Sequence, residues 1–123
     1  MKKMTVRINR SIYRIPLQEI VYLENERRKI RLHLVDGEYV FYGTFREVLE
    51  QLDDHFLCCS RSYILNKDHV RAMRHSEQYE IIMDDGRRIL LCKNCFLRAK
   101  REFDRYIQER VREGQHIRKG KNP

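Results

Sequence analysis

The sequence predicts a mainly β, antiparallel domain with one short helix and one C-terminal helix. Three observations predict it. Apolar and polar residues alternate with a period of two over much of the stretch to residue 93; two Asp-Gly turns lie between alternating runs; and helical periodicity governs only a short segment after Thr44 and a long one after Phe96. The 123 residues suffice for one domain with a real core and are too few for two. We expect that domain over residues 1–113 and a basic, disordered tail over 114–123.

The elements follow in order. Residues 4–8 and 12–15 read as two short strands around Asn9-Arg10-Ser11, and Pro16-Leu17-Gln18-Glu19 makes a turn or a single helical coil. Val21-Tyr22-Leu23 is a further strand. Lys29–Val35, Asp36-Gly37 and Glu38–Tyr42 form a hairpin, and Tyr79–Met83, Asp84-Asp85-Gly86 and Arg87–Cys92 form another. Within the first hairpin Ile30, Leu32 and Leu34 face one way and Arg31 and His33 the other, which predicts a sheet with one wet face.

Thr44-Phe45-Arg46-Glu47 has capping-box spacing, and Phe45, Val48, Leu49 and Leu52 recur at helical spacing before Asp53-Asp54. The second helix is expected from about Phe96 to Glu113, with a stripe of Phe96, Ala99, Phe103, Tyr106, Ile107 and Val111 and a stop at Gly114. Between the helices, Phe56–Asn66 is apolar enough for a buried strand yet carries Arg61 between Ser60 and Ser62. A buried unpaired Arg costs several kcal/mol. Arg61 is therefore expected where the strand meets the surface, with Phe56–Cys59 as its packed support.

Charge points to an anionic partner. The chain carries 26 Lys and Arg against 18 Asp and Glu, a net +8, but five of those eight positive charges lie from Phe96 onward. Local clusters therefore matter more than the total. No apolar run approaches the roughly 20 residues of a membrane span, and the N-terminus has no signal-peptide core, so a cytoplasmic protein with no membrane association is expected. No nucleophile-elbow glycines surround a Ser and no Gly loop cradles phosphate, so the chain does not read as an enzyme. His33, His55, His69, His75 and His116 are scattered and read as surface or turn residues.

Three polar clusters sit at strand ends: Asn25-Glu26-Arg27-Arg28-Lys29, Ser60-Arg61-Ser62 with Asn66-Lys67 beyond it, and Lys93-Asn94 at the entry to the long helix. Arg and Asn match the edges of guanine and adenine, while Lys and Ser serve phosphates. The helices are separated by more than forty residues, so a helix-turn-helix is excluded and any DNA reading falls to loops. On the second helix basic and acidic residues interleave, as on a solvated face with i,i+3 and i,i+4 pairs.

The competing reading is a zinc- or redox-sensitive protein-interaction module built on Cys58, Cys59, Cys92 and Cys95. Adjacent strand residues face opposite sides, so Cys58 and Cys59 cannot both reach one ion without a bulge, and no metal or other cofactor is expected. Cys59 and Cys92 remain candidate redox thiols, Cys59 because it stands two residues from Arg61.

In the order of these pieces the chain resembles the LytTR family of DNA-binding domains over about residues 5–108. The matching pieces are Glu19–Glu24 followed by Arg28, Val35-Asp36-Gly37, Phe41–Phe45 with the short helix, Phe56–Asn66, and Asp85-Gly86 leading into Cys92-Lys93-Asn94. The resemblance implies about ten short strands and a bacterial transcription factor, typically the output half of a two-component response regulator. It also implies loops inserted into the major groove of direct-repeat promoter sites in double-stranded DNA, with bending of the DNA.

Carried over by position, the base readers are Arg28, Arg61 and Asn94. Asn25, Arg27, Lys29, Ser60, Ser62, Asn66, Lys67 and Lys93 contact the DNA backbone or support the readers. Many members carry His in the first loop, His or Asn in the second and Ser-Arg-Arg in the third, where this chain has Arg28, Ser60-Arg61 and Cys92-Lys93-Asn94, so its base preference is expected to differ. The resemblance leaves no room within these residues for a receiver domain. A receiver or a second copy on DNA is then the expected protein partner.

Overall fold

The computed structural model describes residues 2–114; residues 115–123 of the expected basic tail, His116 among them, lie outside the described residues, and Gly114 closes the last helix. Ten strands and two helices occur in the order β1 (Lys3–Ile8), β2 (Ser11–Pro16), β3 (Ile20–Glu26), β4 (Lys29–Leu34), β5 (Gly37–Tyr42), α1 (Phe45–Leu49), β6 (Phe56–Cys58), β7 (Tyr63–Asn66), β8 (Val70–His75), β9 (Tyr79–Met83), β10 (Arg88–Leu91) and α2 (Lys93–Gly114). Short 3-10 turns at Leu17–Glu19 and Lys67–His69 lead into β3 and β8. The expected mainly β architecture is what the chain adopts. None of the described helices is long and apolar enough to cross a membrane.

The strands form three antiparallel sheets: the hairpin β1-β2, a five-stranded sheet in the order β5-β4-β3-β7-β6, and a three-stranded sheet in the order β10-β9-β8. The five-stranded sheet is the middle layer because its strands bury alternate residues on both faces. Leu23, Ile30, Leu32, Phe56 and Ile64 pack with Met4, Val6 and Ile15 of the β1-β2 hairpin and Val48 of α1. Val21, Tyr22, Leu57 and Leu65 pack the other way, against Ile81, Met83 and Ile89 of the small sheet and Phe96 and Ala99 of α2. Neighbours Ile64 and Leu65 thus serve opposite cores, each side chain worth about 1.5–3 kcal/mol when fully buried.

This second layer corrects the expectation of one wet face. Buried Tyr22 stacks on His33, 4% exposed and no surface residue. The His33 ring accepts at Nδ1 from Arg87, at the edge of the small sheet, while Nε2 donates to Glu24 at 3.1 Å. Alternation shows which residues face together; it does not show what later element covers them.

Phe56–Asn66 reaches the surface at Arg61 and reverses there. It is a hairpin: β6 and β7 pair Phe56 with Asn66 and Cys58 with Ile64, and Cys59–Ser62 turns between them. The strand β8, which alternation alone did not single out, pairs with β9 through a bulge between Val70 and Ala72. In the two Asp-Gly hairpins Gly86 takes φ +88°, and the first turns earlier than expected, at Val35-Asp36, with Gly37 opening β5 opposite Leu34.

The helix entries follow from local chemistry. Thr44 and Glu47 form the reciprocal capping box, Thr44 Oγ1 accepting from Glu47 N at 3.2 Å and Glu47 Oε1 from Thr44 N at 3.0 Å. The helix proper is shorter than its pattern, since Gln51 and Leu52 continue it only as turns on Val48 O and Leu49 O. Helix α2 starts three residues before the apolar stripe suggests. Cys92 Sγ accepts from Cys95 N at 3.4 Å and Cys92 O from Phe96 N at 2.9 Å, so a thiol caps it where a hydroxyl or carboxylate usually does.

Candidate nucleic-acid interface

Hydrogen bonds tie the first predicted cluster to the second, and the second to the helix that opens with the third. The first is tighter than expected: Asn25 and Glu26 belong to β3 and Lys29 to β4, so only Arg27-Arg28 make the turn, with Glu26 opposite Lys29. Arg27 sits at φ +58°, a left-handed conformation that costs an L-residue about 1–2 kcal/mol. Gly43 N donates to Arg28 O at 2.9 Å and fastens the turn to the end of β5. Such strain persists where its surroundings hold it, and it presents the Arg27 and Arg28 side chains outward. Tyr42, 80% exposed, shares a shallow depression with Glu26, Arg27, Arg28 and Lys29. Sequence reasoning missed Tyr42. Its signal was an aromatic at the expected outer end of a strand directly across from Lys29.

The second cluster is a turn with most of its polar backbone occupied. Cys59 N and Ser60 N donate to Tyr63 O at 3.1 and 3.4 Å, and Ser62 N donates to Ser60 Oγ at 3.1 Å. Ser60 O accepts from the Cys58 thiol at 3.4 Å. Asn25 then ties the first turn to the second: its N–H donates to Ser62 O at 2.9 Å and its Nδ2 to Arg61 O at 3.3 Å. With these carbonyls taken, the Arg61 guanidinium projects exposed, and among the described residues it has no hydrogen-bond or ion-pair partner. The feature that looked like a charge misplaced in a strand is the free tip of a fixed hairpin.

The third cluster is not a loop. Lys93 and Asn94 form the first turn of α2, both exposed, between Cys92 and Cys95. Arg98, one turn on, donates from Nη2 to Cys59 O at 3.1 Å and links α2 to the Arg61 hairpin. Arg98 was masked in the sequence by the alternating charges around it. Elsewhere on α2 those charges pair as their spacing predicts, Lys100 with Asp104 at 3.5 Å and Arg105 with Glu102 at 2.5 Å.

Two residues predicted near the readers stand elsewhere. Asn66 is 2% exposed, its Nδ2 donating to Ile20 O and its Oδ1 accepting from Asp68 N, both at 2.9 Å. Lys67 is buried, donating to Asp54 O at 2.9 Å, with Nζ 4.8 Å from the centre of the Tyr106 ring. Their role here is support from the far end of β7. Other arginines are also engaged: Arg31 by Glu26 and Glu38, and Arg74 and Arg88 by buried Glu80.

The four thiols differ sharply. Cys59 is fully buried, donates to Tyr63 O at 3.5 Å, and is pushed by burial up to about 12; burial also raises Cys58. Exposed Cys92 is lowered, first by the N–H of Cys95 and then by its thiol, and Cys95 is raised by that same thiol contact. Among the described residues the grouping whose ligand-type atoms lie within 4.8 Å of one another is Asp53, Asp54 and His55, and no cysteine belongs to it. A four-thiolate zinc site is not assembled.

The family of LytTr DNA-binding domains matches residues 10–103. The chain belongs to that family. It is a family of DNA-binding regulator domains rather than of enzymes. Accessory gene regulator protein A of Staphylococcus aureus strain N315 is 31% identical over 70 residues, covering 55% of this chain and 29% of that protein. The Staphylococcus epidermidis protein of that name is 30% identical over 88 residues, covering 70% of this chain and 33% of that protein. The chain thus spans about a third of the length of these curated relatives. A solved LytTr DNA-binding domain from Bacillus cereus superposes with a TM-score of 0.68 at 21% identity, over 84% of this chain and 96% of that one, and shares the fold.

Proposed function

We propose that this LytTR domain is the DNA-reading part of a cytoplasmic transcription regulator, with Arg28, Arg61 and Asn94 meeting base edges. Lys29, Arg27, Ser60, Ser62 and Lys93 hold the flanking phosphates, and Asn25 keeps the first two turns in register. The observation that carries this reading is the set of hydrogen bonds from Asn25 through the Arg61 turn to Arg98, which ties together the elements that carry exposed Arg28, Arg61 and Asn94. Arg61 and Arg28, each with a two-pronged donor, favour guanine, and Asn94 favours adenine. Two copies on direct repeats about one helical turn apart, bending the DNA between them, would present the same edge to successive grooves; a receiver domain elsewhere in the regulator would set their proximity.

Selection of bound duplexes from a random pool tests the reading. The expected result is a repeated site with guanines at two positions of each half and adenine at a third, and a band shift that depends on the site's position in the fragment, as a bend requires. A pool that stays random after selection would remove sequence-specific binding. Enrichment of a single unrepeated site would remove the paired arrangement.

A further inference from the structure

The Cys92-Lys93-Asn94-Cys95 segment has a chemistry that DNA reading does not use. We propose that Cys92 and Cys95 are a reactive dithiol that peroxide closes to a disulfide, and that closure re-aims Asn94 and loosens the domain from its DNA site. The geometry is a C-x-x-C at the head of a 22-residue helix, the first thiol exposed and the second one turn along, with the two side chains in hydrogen-bond contact. Cys92 Sγ also accepts from Cys95 N at 3.4 Å, so its sulfur lies over the open end of the helix, where the backbone N–H groups favour an anion. The lowered Cys92 and raised Cys95 assign the roles of attacking and resolving thiol. The other two thiols offer less: Cys59 is buried and holds the Tyr63 carbonyl, and the Cys58 thiol is spent on Ser60 O.

The reaction balances with hydrogen peroxide as oxidant. The Cys92 thiolate attacks one peroxide oxygen; an S–O bond forms, the O–O bond breaks, and hydroxide leaves to become water. The Cys95 thiolate then attacks the Cys92 sulfur; the S–S bond forms and the second oxygen leaves as water. Two thiols lose two electrons and two protons, and peroxide becomes two waters. Closure draws the Cys92 sulfur from the Cys95 N–H toward the Cys95 sulfur, and Lys93 and Asn94 lie between the two bridged residues in the first turn that moves with them. The regulatory half of the proposal rests on the DNA-reading role of that turn; the thiol chemistry does not.

The test separates the two. After peroxide treatment of the full chain and alkylation under denaturing conditions, two of the four cysteines should be protected, mass spectrometry should place the bridge between Cys92 and Cys95, and dithiothreitol should free both. Neither C92S nor C95S should form it. All four thiols remaining free, or a bridge through Cys58 or Cys59 instead, would overturn the pair. On the duplex selected as above, the oxidised chain should bind roughly tenfold more weakly, about the loss of one base contact, while C92S, whose hydroxyl can keep the cap, should not respond to peroxide. Equal affinity of oxidised and reduced chain would overturn the switch. A reduced chain with no preferred duplex would instead bring down the DNA-reading role, with the thiol result standing on its own.

Discussion

Arg61 and Lys67 stand at opposite ends of β7, six residues apart, and do opposite work. At one end Tyr63 O accepts from Cys59 N and Ser60 N, and the carbonyls of residues 59–62 accept from Asn25, the Cys58 thiol and Arg98, so among the described residues the Arg61 guanidinium finds no acceptor and points outward. At the other end Asp54 O is open to Lys67, and the Tyr106 ring covers its ammonium. Both cations flank one short apolar strand. A cation is left for a partner molecule when the surrounding backbone has already satisfied itself, and it becomes scaffold when an open carbonyl and an aromatic face lie within reach.

The largest expected effect breaks the anchored end. Asn66→Ala leaves the buried Ile20 carbonyl without its donor and the Asp68 N–H without its cap, and should lower stability by about 2–3 kcal/mol in urea unfolding. The folded fraction should bind DNA as before. Stability within about 0.5 kcal/mol of the native chain would refute the anchor. Next comes the free end. Arg61→Ala should cost about 1–3 kcal/mol of affinity for the selected duplex, with preference relaxed at one base pair and unfolding unchanged. If random DNA lost as much, Arg61 would be a phosphate contact and the contrast with Lys67 would collapse to exposure alone.

A smaller effect sharpens the same contrast between two lysines. Lys67→Met keeps the apolar stem under Tyr106 and should cost stability about 1 kcal/mol without altering how affinity falls with salt. Lys29→Ala should do the reverse, reducing the log–log salt slope by about 0.9 at unchanged stability. A salt slope reduced by Lys67→Met would place its ammonium on DNA.

How much of this was legible depends on how local its cause is. The capping box of α1, the second Asp-Gly turn and the alternation of Ile30 and Leu32 are set by neighbours within a few residues, and they stand as read. The burial of His33 requires Arg87, fifty-four positions away, and the burial of Lys67 requires Tyr106 on the last helix. In Phe56–Asn66 apolar character continues through Cys58 and Cys59 into the turn, so Ser60-Arg61-Ser62 is the local mark of the reversal. The early start of α2 was hidden because a thiol, outside the usual capping residues, closes its first turn.

The smallest effect at neutral pH is also the most selective probe of the anchored end. Tyr106 OH donates to Asp68 and accepts from Arg110, and burial first, then the Asp68 bond, pushes the phenol up to about 12 from an ordinary 10. The folded state therefore holds this proton more tightly than the unfolded chain does. Its contribution is fully present below pH 10 and is lost as pH rises from 10 through 12. Tyr106→Phe keeps the ring over Lys67 and should change stability little at pH 7, while making the decline between pH 10 and 12 shallower. Cys59, raised by burial to about 12 from an ordinary 9, titrates over an overlapping range and leaves part of that decline in place, so the comparison is between the two unfolding-versus-pH curves. Superimposable curves would mean that Tyr106 is solvated in the folded state, and the aromatic cover that separates Lys67 from Arg61 would have to be withdrawn.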